Sequence, residues 1–198
     1  MVATTRRATP GTQRGVSLVE ALVTIVIIAL GLLGLVGLQS RLQLSEIEAY
    51  QRSQAMILLE DMANRISMNR AAIANYLTGN QPLGTGFTCN LASIPDTSAN
   101  RIARDRCEWS MALEGAAATI NSGANRVGTM VGGRGCVENL GGGEYLITVA
   151  WQGQVPLSTP PDGVACGASL YDGDTGSPCR EDRCRRTLTT IVRVPNFL

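Results

Sequence analysis

The 198-residue chain contains no histidine, no lysine and only eight aromatic residues: two Phe, two Trp and four Tyr. Without imidazole there is no His general base, no His–carboxylate relay and no His metal ligand. All side-chain positive charge comes from arginine, 17 residues against 16 Asp and Glu, for a formal net charge of +1. That balance argues against a general nucleic-acid binder, whose affinity comes mostly from cationic contacts to phosphate. Proline is absent from residues 11–81 and glycine from residues 38–78. Nothing in that stretch punctuates a helix.

What is present divides sharply. Residues 1–15 carry Arg6, Arg7 and Arg14, no acid, and a Pro10-Gly11 pair, and read as an unstructured basic leader. Residues 16–38 contain a single charge, Glu20. As a helix those residues extend about 34 Å, enough to cross a bilayer core. The arginines before the span predict a cytoplasmic leader, with the bulk of the chain on the other side. A cleaved secretory signal shares the basic start and apolar run, but this run exceeds a typical h-region. Gln39-Ser40-Arg41-Leu42-Gln43 then continues into helix with no small-x-small cleavage site. A plain signal anchor explains the length but not Glu20. A carboxylate inside a span costs about 2.5–3.5 kcal/mol at the centre, less near an interface, and usually has a partner. Cleavage between Gly15 and Val16 would supply one: a new α-amino group four residues, about one turn, before Glu20.

Arg14-Gly15 followed by Val16-Ser17-Leu18-Val19-Glu20 resembles the prepilin peptidase site of type IV pilins and pseudopilins. The resemblance implies cleavage after Gly15, N-methylation of Val16, and retention of Glu20 as the carboxylate used in assembly. Val16 stands where the family usually has Phe, and Val19 where it has Ile. Within that superfamily, Leu30-Gly31-Leu32-Leu33-Gly34-Leu35-Val36-Gly37-Leu38-Gln39 is similar to the minor pilins called type IV pilus modification protein PilV. So are Tyr50-Gln51-Arg52-Ser53-Gln54-Ala55, Asp61-Met62-Ala63-Asn64-Arg65 and Met68-Asn69-Arg70. This similarity covers residues 14–77, with looser matches at 144–151 and in the last strand.

Beyond the span, Leu44, Ile47, Ala55, Leu58, Leu59, Met62, Ile66, Ile73 and Leu77 recur mostly three and four apart, an amphipathic stripe. Glu48–Arg52 and Asp61–Arg65 read as i,i+4 pairs on its polar side, each worth a few tenths of a kcal/mol. Thr78-Gly79-Asn80 with Pro82 predicts the stop. Gly31, Gly34 and Gly37 each weaken a helix by about 0.8–1 kcal/mol relative to Ala. Two readings of these glycines stand together: close approach of helices in lipid, and a segment that loosens on leaving the membrane.

From Asn80 onward the long helical period is lost. Ile102, Trp109 and Leu113 predict a short helix over residues 101–114, and residues 144–151 alternate as a buried strand. Residues 187–194, rich in β-branched side chains, predict a second strand. Eight of the 21 residues from 123 to 143 are glycine, which predicts mostly loop. That loop lacks the Gly-Lys-Ser/Thr ending of a phosphate loop. Cys89, Cys107, Cys136, Cys166, Cys179 and Cys184 all lie beyond the span and read as disulfides of an oxidising periplasm. Six cysteines allow 15 complete pairings, with Cys179 and Cys184 a plausible local pair. Zinc binding and thiol catalysis are disfavoured by the lack of His and of any C-x-x-C. Arg180, Arg183, Arg185 and Arg186, interrupted by Glu181 and Asp182, read as a solvated face rather than a DNA patch.

The expected fold is α+β and type IV pilin-like. A long N-terminal helix, its first half transmembrane, packs its second half on a small antiparallel sheet. The expected divisions are a prepilin leader at 1–15, a helix at 16–77 with its assembly segment at 16–38, and a head at 78–198. The resemblance implies a non-enzymatic minor pilin in the inner membrane, head in the periplasm, passing to the extracellular pilus at its tip. No cofactor, metal or specific nucleic acid is expected. The implied partners are major and minor pilins, prepilin peptidase and the inner-membrane assembly machinery. The alternatives are a type II secretion pseudopilin and a signal-anchored periplasmic enzyme or receptor.

Overall fold

A computed structural model describes residues 17–115, 119–120, 125–126 and 130–194, the two short stretches at 119–120 and 125–126 as backbone only. The chain divides between Gln43 and Leu44 into two compact units. Helix α1, Leu18–Met68, contributes residues to both. The architecture is α+β: a long N-terminal apolar helix and a four-stranded antiparallel sheet.

In the first unit, α1 opens with a bond from the Ala21 amide to the Ser17 carbonyl. Every described side chain from Ser17 to Gln43 is exposed. A helix apolar on all sides buries none of them against its own chain, as expected of a segment whose natural surroundings are lipid or other helices. Its hydropathy and length suffice to cross a membrane.

In the second unit, Ala55, Leu59, Met62 and Ile66 of α1 form one buried stripe, as their three- and four-residue spacing predicts. Leu44 and Ile47, placed on the same stripe by spacing, are exposed. The α-helix ends at Met68, short of the expected residue 77. Asn69 leaves helical geometry (φ −122°, ψ 42°), and a 3-10 helix spans Arg70–Tyr76, itself kinked at Ala72. No glycine or proline marks this end. Asn69 instead uses its side-chain amide to hydrogen-bond the Arg65 carbonyl at 3.1 Å and the Tyr76 hydroxyl at 2.9 Å.

The sheet orders its strands β1 (Leu83–Gly84), β4 (Arg134–Gly141), β5 (Glu144–Gln152), β6 (Arg185–Arg193), each pair antiparallel. A separate two-stranded pairing joins β2 (Thr119–Ile120) to β3 (Asn125–Arg126). Both expected strands are present, and so is the short helix, α2 (Arg101–Leu113). Strand β4 corrects the expectation of loop across residues 123–143. Its Gly135 is a packing residue: a Cβ there would overlap the Trp109 ring and Leu113 Cδ1. Gly141, Gly142 and Gly143 all have positive φ and form the tight turn into β5.

Strand β5 is buried on both faces from Ile147 to Trp151. Ile147, Val149 and Trp151 join the core that includes α1 and α2, with Trp109, Leu113, Tyr76 and Leu83. On the opposite face Ala150 packs with Cys136, Cys166 and Tyr171. The chain between β5 and β6 therefore folds back over the sheet.

Candidate functional site

The N-terminal segment and the head present different chemistry. Gly15 and Val16 lie outside the described residues. Glu20 sits in the first turn of α1, exposed, where a negative charge suits the positive end of the helix dipole. It carries no ion pair among the described residues. Fourteen large apolar side chains between Leu18 and Leu38 are also exposed, and a Cβ added at Gly31, Gly34 or Gly37 would meet nothing within 4 Å. The segment thus combines one carboxylate with an apolar surface that leaves room for close helix approach.

The head is organised around Arg65. Its Nε hydrogen-bonds both oxygens of Asp61, at 3.1 and 3.0 Å. Its Nη1 reaches Asp105 Oδ1 at 3.0 Å and Glu108 Oε2 at 2.8 Å, both on α2. Tyr76 donates its hydroxyl proton to the other Asp105 oxygen, so one carboxylate ties the 3-10 helix to the same cluster. Spacing predicted only the Asp61–Arg65 pair on a polar face. That reading understated Arg65, which is partly buried and makes contacts 40 and 43 residues away in the chain. Burial alone would lower the Arg65 pKa, but the Glu108 hydrogen bond and the charges of Asp61 and Asp105 outweigh it and raise it. The Tyr76 phenol is pushed above its ordinary range by burial and then by the Asp105 carboxylate it donates to.

Trp109 supplies a second tie. Its ring is fully buried over Gly135, and its Nε1 donates to the Leu58 carbonyl of α1 at 2.9 Å. Glu48 is a further correction. Its expected partner was Arg52, but it accepts from Arg186 Nη2 at 3.2 Å and from the Gln154 amide at 3.3 Å. The arginine group near β6 is likewise not a solvated face throughout. Arg185 is buried against Asp182 and the Val164 and Cys166 carbonyls, and Arg186 also binds the Val155 carbonyl.

All six cysteines are paired. Cys89–Cys107 fastens the segment after β1 to α2, Cys136–Cys166 fastens β4 to the loop behind the sheet, and Cys179–Cys184 closes the turn into β6. Behind the sheet, Arg134 lies over the Tyr171 ring at 4.9 Å, and the Tyr171 hydroxyl donates to the Gly132 carbonyl at 2.8 Å. Burial raises the Tyr171 pKa, against the opposing influence of Arg134. Among the described residues no group of His, Cys, Asp and Glu is arranged to hold a metal. The charged cluster at Arg65 is consumed by its own hydrogen bonds, which is the chemistry of a fastening.

A family model described as the prokaryotic N-terminal methylation motif matches residues 11–36. No curated protein and no solved structure matches the chain. The matched residues include Gly15, Val16, Glu20 and most of the apolar run. Residues 11–36 therefore carry a prepilin-type N-terminal motif, which makes this part of the chain type IV pilin-like, and the helix that begins within it is long and apolar enough to cross a membrane.

Proposed function

We propose that this chain is a non-catalytic minor pilin of the type IV pilus modification protein PilV kind. It is held in the inner membrane with its head in the periplasm, is trimmed after Gly15 and methylated at Val16. It then enters a minor-pilin complex that primes pilus assembly, with its place at the tip. Glu20 is the assembly carboxylate, meeting the amino terminus of a neighbouring subunit. One observation carries the reading: the methylation motif at 11–36 overlaps an apolar span, residues 18–38 of α1, whose large side chains are all exposed. The pilus branch is favoured by the resemblance at residues 50–70, the stretch that supplies Asp61, Arg65 and Asn69 to the head's polar cluster.

Mass spectrometry of the mature protein tests the reading. An N-terminal peptide beginning at methylated Val16, in a protein that co-purifies with pilins, is the expected result. Co-purification with secretion components instead would assign the chain to a type II secretion pseudopilin. Retention of the segment before Val16 in the assembled form would sink both and leave a signal-anchored periplasmic protein.

A further inference from the structure

Strand β6 is the outer strand of the sheet, with β5 on one side and, among the described residues, no strand on the other. Its nine residues contain no proline or glycine, and the six from Thr187 to Val192 are uncharged and mostly β-branched. Apart from the bond between the Arg185 amide and the Asp182 carbonyl, the backbone of β6 bonds only to β5 among the described residues. Natural sheets blunt such edges with charge, proline or bulges, because an open row of N–H and C=O groups templates another strand.

A groove runs beside this edge. At the start of β6, a hollow of about 430 Å³ lies between Ala49, Arg52 and Glu48 of α1, the last already paired with Arg186, and Trp151 of β5 with residues 186–188. Further along, a hollow of about 220 Å³ lies between Met56, Glu60 and Ala63 of α1 and residues 188–190. Leu188 lines both, so the two form one seam between α1 and the strand edge. We propose that this seam receives an extended strand from another pilin-like subunit, added to the edge of β6 with alternate side chains seated against α1. This rests on the pilin-like reading above. The backbone row would supply affinity, and the hollows would select the side chains.

The charges on the seam specify the occupant further. Arg52 and Glu60 are both exposed, and neither makes an ion pair among the described residues. Eight residues of helix separate them by about 12 Å, and residues i and i+4 of a strand are about 13 Å apart on one face. The incoming strand would therefore present an acid to Arg52, an apolar residue near Leu188 and a base to Glu60. A second copy's β6 fits poorly. Antiparallel self-pairing about Thr189 would set Arg185 opposite Arg193, and like charges directly opposed destabilise a sheet.

The test uses the full-length chain in filament-forming cells, with a photo-cross-linking amino acid at position 189 or, as control, at 170 in the loop behind the sheet. The expected result is an adduct with another pilin-like subunit from position 189 and none from position 170. Arg52→Glu combined with Glu60→Arg should lower that adduct about tenfold, the size of two exposed ion pairs made repulsive, without shifting the head's melting temperature. A processed subunit that enters filaments yet gives no adduct from position 189, or one indifferent to the charge swap, overturns the proposal and leaves the pilin reading intact. An adduct with a second copy or with a protein of another class overturns the assigned partner. Failure of the chain to be processed and enter filaments would instead refute the pilin reading and, with it, this proposal.

Discussion

The Arg65 guanidinium lies 3.0 Å from the Asp105 carboxylate and so joins α1 to α2 across 40 residues of sequence. Asp105 is buried, and its second oxygen is taken by Tyr76. Removing the cation would leave three carboxylates, Asp61, Asp105 and Glu108, facing one another with partial solvent access. Breaking a buried pair costs about 3–5 kcal/mol; with Arg65 still partly solvated, Arg65→Met should cost about 2–3 kcal/mol of head stability. Urea unfolding of the disulfide-intact protein measures this, and a loss within about 0.5 kcal/mol, as for a surface pair, would refute the hub role.

Gly135 predicts a different failure. Its missing side chain is the space occupied by the Trp109 ring. Gly135→Ala should destabilise the head by about 1–3 kcal/mol through overpacking. The cost should shrink in a Trp109→Phe background, because contacting sites are coupled. Equal costs in the two backgrounds would show that the ring does not set the requirement for glycine.

These two positions show what the sequence could and could not convey. The spacing of Ala55, Leu59, Met62 and Ile66 is local and periodic, so the buried stripe of α1 was legible. Asp61 and Arg65 were legible as neighbours for the same reason, but Asp105 and Glu108 enter from another helix, and no local pattern announces them. The end of α1 was hidden because Asn69 breaks it through its side-chain hydrogen bonds rather than through glycine or proline. Strand β4 was hidden because glycine usually weakens a strand; here Gly135 is required by the ring above it. Of the cysteine pairs, Cys179–Cys184 was suggested by separation, whereas the other two span 18 and 30 residues and depend on the tertiary fold. At the N-terminus the balance reverses. Glu20 stands out in sequence as the one charge in an apolar run, whereas in the isolated chain it is simply exposed.

Tyr76 gives the head a pH dependence of definite sign. Its folded pKa is raised above the unfolded value of about 10. The folded state therefore holds the phenolic proton more tightly, and the resulting stability is fully present below about pH 10 and lost as pH rises toward the folded pKa. Comparison of the wild type with Tyr76→Phe isolates the effect. The stability advantage of the wild type should narrow between about pH 9 and about pH 11, and a constant or widening advantage would contradict it.

The Cys136–Cys166 bond holds the loop behind β5, where Ala150 and Tyr171 complete the packing. Replacing both cysteines by alanine should cost about 2–4 kcal/mol. The loss should be felt first in residues 154–183, which would become the preferred sites of limited proteolysis, while the core of α1, α2 and β5 stays protected. Unchanged cleavage in that loop would mean that Arg134, Tyr171 and Arg185 hold it without the covalent tie.

Glu20 offers the sharpest separation between anchoring and assembly. It lies in the first turn of α1, at one end of the apolar span, where a charge costs less than at the centre. Glu20→Lys should therefore still insert in the membrane. In the proposed assembly, the reversed charge would repel the amino terminus of a neighbouring subunit that the carboxylate would attract. Incorporation into filaments, followed by immunoblotting of sheared pili against the membrane fraction, should fall about tenfold or more, equivalent to about 1.4 kcal/mol, while the membrane-bound amount holds constant. Glu20→Gln, which removes attraction without adding repulsion, should fall between the two. Wild-type incorporation of Glu20→Lys would remove the carboxylate from the assembly step and leave the apolar surface to account for it.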